Sequence, residues 1–234
     1  GEFNKESIFE INYSLESQLE DSQWDEGSFN SRLARYTAPN NRGGGGEQGF
    51  VDVADAVNGG GAVFRTYCSQ CHGAGAAGAP GYPNLLDDDW LWGGSIEEIH
   101  TTVSHGIRNE ESDDARYSEM PAFGELLEKE EITQVTNYVM SLSGTANDAS
   151  MVAAGAVVFE DNCSACHMED GTGDRSQGAP NLTDAIWLYG GSYDKLMDTI
   201  TYSRFGVMPS WSDRLSEAEL RAVATYVHGL GGGE

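Results

Sequence analysis

The sequence predicts an all-α protein built twice over, as two tandem domains of a few helices each. Three observations predict it: a block of residues recurs along the chain, apolar residues fall at helical spacing around each recurrence, and long irregular stretches join those segments. The recurrence centres on Cys68-Ser69-Gln70-Cys71-His72 and Cys163-Ser164-Ala165-Cys166-His167, 95 positions apart, which use all four cysteines. Gly60, Phe64 and Cys68 match Gly155, Phe159 and Cys163. Pro83-Asn84-Leu85 matches Pro180-Asn181-Leu182, and Trp90 to Ser95 matches Trp187 to Ser192, both at an offset of 97. Tyr138-Val139 matches Tyr226-Val227 at 88. The expected division is an acidic N-terminal segment with a Gly-rich linker (1–57), a first domain (58–145) and a second (146–234).

Within each copy the first helix carries the stripe Gly60, Phe64, Cys68 or Gly155, Phe159, Cys163, and so delivers its cysteines on one face. Ser95-x-x-Glu98 is a capping box opening the middle helix of copy one; copy two has Lys195 in place of the glutamate, a weaker cap. The last helix of copy one shows Ile132, Val135, Tyr138, Val139 and Leu142. That of copy two opens at Ser216-x-x-Glu219 and continues as Leu220, Val223, Val227 and Leu230. The bare backbone at Gly60 or Gly155 lets first and last helices cross closely, against Tyr138 or Tyr226. In residues 1–57, Ser7-x-x-Glu10 with Ile8, Ile11, Leu15 and Leu19 suggests an amphipathic helix, and Gly43 to Gly46 a flexible joint.

Cys-x-x-Cys-His sets two thiols one turn apart, able to add to a haem's vinyl groups, and supplies an imidazole to the iron. A zinc half-site would need a second ligand pair to meet each motif, and a thioredoxin-like pair would normally sit in a βαβ unit. A disulfide within each motif would leave both histidines without a role. The expectation is two covalently bound haem c groups, with His72 and His167 as proximal iron ligands.

A Met thioether on the opposite face would close the iron and raise its potential. Met120-Pro121-Ala122-Phe123 and Met208-Pro209-Ser210-Trp211 repeat a Met-Pro-x-aromatic context just before each last helix, with proline biasing the Met backbone to an extended loop. Most methionines are packing residues, and Met140, Met151, Met168 and Met197, lacking that context, are read so. His100, His105 and His228 are read as surface or helix-terminal, with His105 as a reserve ligand. Trp92 and Tyr189 occupy matching positions and could reach a haem propionate, and Arg108 and Arg204 precede the Met loops and could neutralise one. Core packing for the rings and solvent for the arginines are the competing readings. Asn84 and Asn181, each after a proline, are expected to pin the loop on the His side by side-chain to backbone bonds.

The 234 residues carry 13 basic and 38 acidic side chains, a formal net charge of -25. That excludes nucleic acid and anionic lipid as natural partners and favours a basic protein face, with on-rates that fall with salt. General surface acidity, as in adaptation to a salty milieu, fits better the spread of acids along the whole chain rather than in one patch. No run of eighteen apolar residues occurs to span a membrane, and no secretory signal opens the chain.

These residues resemble tandem class I cytochrome c domains, and more narrowly the dihaem subunit (subunit III) of cbb3-type cytochrome c oxidases, known also from the nitrogen-fixation oxidase. The words that carry the resemblance are Cys68 to Gly81, Gly81-Tyr82-Pro83-Asn84-Leu85 through Trp92-Gly93-Gly94, His105-Gly106-Ile107-Arg108, Met120 to Gly124, and Gly178 to Gly191. The resemblance implies that His72 and Met120 ligate one iron and His167 and Met208 the other. It implies transfer of electrons from a cytochrome c donor towards the monohaem and haem-copper subunits, and a periplasmic location. A free-standing periplasmic shuttle, the cytochrome partner of a dehydrogenase, and a dihaem peroxidase are the alternatives. That family has an N-terminal membrane helix absent from this sequence, which points to a soluble part of the subunit or a free relative of it. Copy one spans 52 positions from first cysteine to Met and copy two 45, the excess lying in the acidic stretch 109–114. Negative charge lowers a haem's potential. A redox titration should therefore give two unequal midpoints, with the first haem the more affected; a single shared midpoint would contradict this.

Overall fold

In the computed structural model of the chain, residues 53–144 and 146–234 are described; the helix expected around Ser7 to Leu19 and the joint at Gly43 to Gly46 lie outside them. Helix α1 (Val53–Val63) runs through a π-helical turn (Phe64–Cys68) into a single turn, Ser69–His72. It is followed by α2 (Ile96–His105) and α3 (Lys129–Ser143). The second copy repeats this as α4 (Val152–Asn162) with the turn Ser164–His167, then α5 (Tyr193–Tyr202) and α6 (Glu217–His228). Among the described residues the only extended pairing is isolated bridges, which agrees with the all-α expectation.

The caps follow the chemistry of the sequence. Ser95 accepts from the Glu98 amide while the Glu98 carboxylate accepts from the Ser95 amide, and Ser216 with Glu219 does the same. Ser192, with Lys195 in place of glutamate, makes no side-chain cap. Helix α3 opens on a reciprocal pair from Glu128 and Glu131, which the usual serine or threonine signature does not reveal.

Among the described residues two cores form, and neither coincides with a copy. One joins Val63 and Phe64 of the α1 segment and Ile99 and Val103 of α2 to Leu220, Val223 and Val227 of α6. The other joins Ile132, Val135 and Val139 of α3 to Val158 and Phe159 of α4 and to Leu196 and Ile200 of α5. The first helix of each copy thus packs on the last helix of the other. A Cβ at Gly60 would overlap the Ala222 carbonyl, and one at Gly155 the Gln134 carbonyl, so both crossings bring backbone against backbone. Phe64 meets Tyr226 with ring centroids 5.5 Å apart, and Phe159 meets Tyr138 at 5.1 Å.

The copies also touch through their loops. The Gly81 amide donates to the Leu188 carbonyl at 2.8 Å, and Trp92 is buried against Gly178. A cavity of about 360 Å³ separates Asp88, Asp89 and Trp90 from Arg175, Asn181 and Asp184. Burial, then the neighbouring Asp184 and Asp87, push the Asp89 carboxyl up to about 6, while Arg175 opposes the shift.

Gly60→Val and Gly155→Val should each part a helix crossing and lower stability by about 1–3 kcal/mol, read as a fall in melting temperature. Because the folded state holds the Asp89 proton more tightly than the unfolded chain does, that proton stabilises fully below about pH 4 and ceases to as pH rises through about 6. Asp89→Asn should therefore raise the melting temperature at pH 7 and flatten its pH dependence between about 4 and 6, as thermal unfolding across that range would show.

Candidate functional site

His72 and His167 close the short turns after the paired cysteines, and each Nδ1 lies 3.1 Å from a proline carbonyl, that of Pro83 or Pro180. Assigned as donors to those carbonyls, both rings keep Nε2 as the free lone pair, the tautomer a metal requires. Burial pushes both imidazoles below the usual histidine range, and the carbonyl bond opposes it, so both are neutral at pH 7. Asn84 accepts from the Leu86 amide at 3.1 Å and Asn181 from the Thr183 amide at 2.9 Å, which pins each proline loop as expected. Burial, then the neighbouring thiol, pushes Cys68 and Cys163 up to about 11, so both are neutral thiols before attachment; Cys71 and Cys166 are exposed.

A cavity of about 760 Å³ opens beside the second motif, with Cys163, Cys166 and His167 on its lining. The methionine that lines it is Met120, from the first copy, accompanied by Pro121 and Phe123. Ser203, at the end of α5, donates its hydroxyl to the Met120 carbonyl. Met208 lies elsewhere, packed on the core that holds Cys68 and Phe64. Its amide and carbonyl both bond to Ile107, just after α2, each at 3.0 Å. The resemblance pairs His72 with Met120 and His167 with Met208, whereas Met120 lines the cavity of His167 and Met208 packs on the core beside Cys68. The cause is covalent continuity, because each Met loop leads into a last helix and the last helices have exchanged partners. The acidic stretch 109–114 thus links α2 to the Met120 loop, whose methionine lines the cavity of His167.

The cavity suits a haem. It is mainly apolar, holds two thiols and an imidazole, and carries a thioether from a separate loop. Tyr189, Arg108 and Arg204 also line it. Trp92 is instead buried against Gly178, beneath Arg116 at 5.5 Å from the ring centroid. Arg116 is the residue that sequence reading missed: its Nε donates to Thr102 at 2.9 Å, as Arg204 Nε donates to Thr199 at 3.1 Å, and Arg204 stacks on Tyr189 at 5.1 Å. The match of Thr102 to Thr199 at an offset of 97 was the available signal. Arg108 has a different role, bonding to the carbonyls of Ser118 and Gly206.

The remaining candidates take up packing or helix-end positions. His100 meets Glu217 at 3.5 Å, His105 Nδ1 lies 3.3 Å from the Ser112 hydroxyl, and His228 Nε2 lies 2.9 Å from the Glu234 carbonyl. Met140 and Met197 pack on the second core, the Met197 sulfur accepting from Thr136 at 3.1 Å. Met168 is exposed, and Met151 ends a short 3-10 turn.

A family model described as cytochrome c oxidase, cbb3-type, subunit III matches residues 55–139 and 150–227. The chain is 66% identical over 181 residues to the cbb3-type cytochrome c oxidase subunit CcoP of Cereibacter sphaeroides, covering 76% of this chain and 62% of that protein. It is 54% identical over 187 residues to the subunit CcoP of Rhodobacter capsulatus, covering 76% and 63%. With the subunit FixP of Sinorhizobium medicae it shares 48% over 179 residues, covering 76% and 62%. The chain spans a little under two thirds of the length of these relatives. Among the described residues no helix is long and apolar enough to cross a membrane.

Proposed function

Because the chain belongs to the subunit III family of cbb3-type cytochrome c oxidases, we propose that it is a two-haem electron relay of such an oxidase. It takes electrons from a cytochrome c donor and passes them towards the monohaem and haem-copper subunits that reduce oxygen. Two covalently bound haem c groups, one at each Cys-x-x-Cys-His motif, come with that membership. Each supplies one-electron redox chemistry at its iron. The observation that carries the relay reading is a shared wall: Pro83, whose carbonyl holds His72, also lines the cavity of His167 and Met120.

The residues divide the work simply. The cysteines anchor each macrocycle, and the proline carbonyls orient His72 and His167 as ligands. With haem bound, Met120 would serve as a ligand at the His167 site and Met208 at the His72 site. Thioether ligands there would close both irons to exogenous ligands and raise their potentials, which suits transfer rather than peroxide chemistry. Tyr189 and Arg204 place a ring and a cation in the cavity of His167, and Trp92 with Arg116 repeats the pair in the first copy. The charge of -25 favours a basic donor and makes the encounter faster at low salt. The attachment chemistry and the family together support a periplasmic place beside the bacterial inner membrane.

The ligand assignment is tested in single-haem chains. With Cys68→Ala and Cys71→Ala only the second haem remains. Met120→Ala should then abolish its thioether-to-iron absorption and open it to carbon monoxide, while Met208→Ala should leave both unchanged. The reverse result would restore ligation within each copy.

A further inference from the structure

We propose that Arg108 is a positioning residue common to both haem sites, one guanidinium that ties the Met120 loop to the Met208 loop. Its Nε donates to the Ser118 carbonyl at 2.6 Å and its Nη1 to the Gly206 carbonyl at 2.9 Å. Each of those carbonyls lies two residues ahead of its methionine. The planar fork of arginine can bridge two acceptors on separate loops; a lysine, with one rotatable ammonium, holds neither geometry as firmly. Charge-assisted bonds of this kind are about twice as strong as neutral ones. Among the described residues no carboxylate pairs with Arg108, so its charge is directed at backbone carbonyls and at the Phe205 ring, 5.5 Å away.

The backbone is fixed to match. Arg108 sits at φ 50, a left-handed conformation that a non-glycine residue keeps only when its surroundings hold it there. The Arg108 amide bonds to the Arg116 carbonyl at 2.8 Å, and its neighbour Ile107 pairs in both directions with Met208. At the equivalent place after α5 the chain has Phe205, at the same offset of 97 that relates the ends of α2 and α5. Arg108 and Phe205, at matching places in the two copies, thus pack against one another. The clamp is single, and it serves both loops.

The proposal rests on Met120 and Met208 as sixth ligands, and the experiment separates the two ideas. Arg108→Lys is made in the two-haem chain and in each single-haem chain. Phe205→Leu serves as a second, milder variant that leaves both hydrogen bonds possible. Thioether-to-iron absorption, carbon monoxide binding to the reduced form, and melting temperature are measured on each. Arg108→Lys should weaken the absorption at both haems and raise carbon monoxide affinity at both by about tenfold or more; Phe205→Leu should do so less, again at both. A change confined to one haem, or a fall in melting temperature with both spectra intact, overturns the clamp. If Met120→Ala and Met208→Ala leave the absorption untouched, the ligand reading fails and the clamp fails with it. If each abolishes the absorption at one haem while Arg108→Lys abolishes none, only the clamp fails.

Discussion

Gly60 against Ala222, and Gly155 against Gln134, are contacts that no residue with a side chain can make without parting the helices. Each brings a first helix onto the last helix of the other copy, with an aromatic pair, Phe64 with Tyr226 or Phe159 with Tyr138, packed beside it. The rest depends on this exchange. A last helix carries its Met loop with it, so the methionine that lines the cavity of His167 comes from the other half of the chain. Two repeats joined in this way cannot separate as beads on a string, because each core would lose a helix.

The arginines show how a chain with so few cations uses them. Arg108, Arg116, Arg204 and Arg214 all stack on aromatic rings, and the first three also donate to carbonyls or hydroxyls within the fold. Planar, weakly hydrated guanidinium groups suit the half-buried positions of the first three better than ammonium groups do. Among the described residues many acids lie in solvent, where their mutual repulsion is screened. Asp89 is half-buried beside Asp184 where the copies meet.

Much of this was legible in the sequence because it is local. The paired cysteines and histidine, the capping boxes at Ser95 and Ser216, the weaker cap at Ser192 and the asparagine turns at Asn84 and Asn181 each depend on residues a few positions apart. The glycine stripe correctly marked a close helix crossing. It could not say which last helix each first helix would choose, because Tyr138 and Tyr226 stand in equivalent settings in the two copies. The resemblance pairs Met120 with His72, whereas Met120 lines the cavity of His167. Arg108 was paired with Arg204 by its place in the sequence, whereas the acidic stretch before Arg116 shifts the true counterpart along the chain.

The exchange also gives the two halves different histories during synthesis. The core around His167 draws on Phe123 through Ile200, one unbroken segment that can close as soon as it has emerged. The core around His72 joins Val63 to Val227 and must wait for the far end of the chain. Closing so long a loop is slow, and residues near the first motif stay uncovered until α6 arrives. A chain truncated before α6 would thus have its later-encoded core closed and its earlier-encoded one still open.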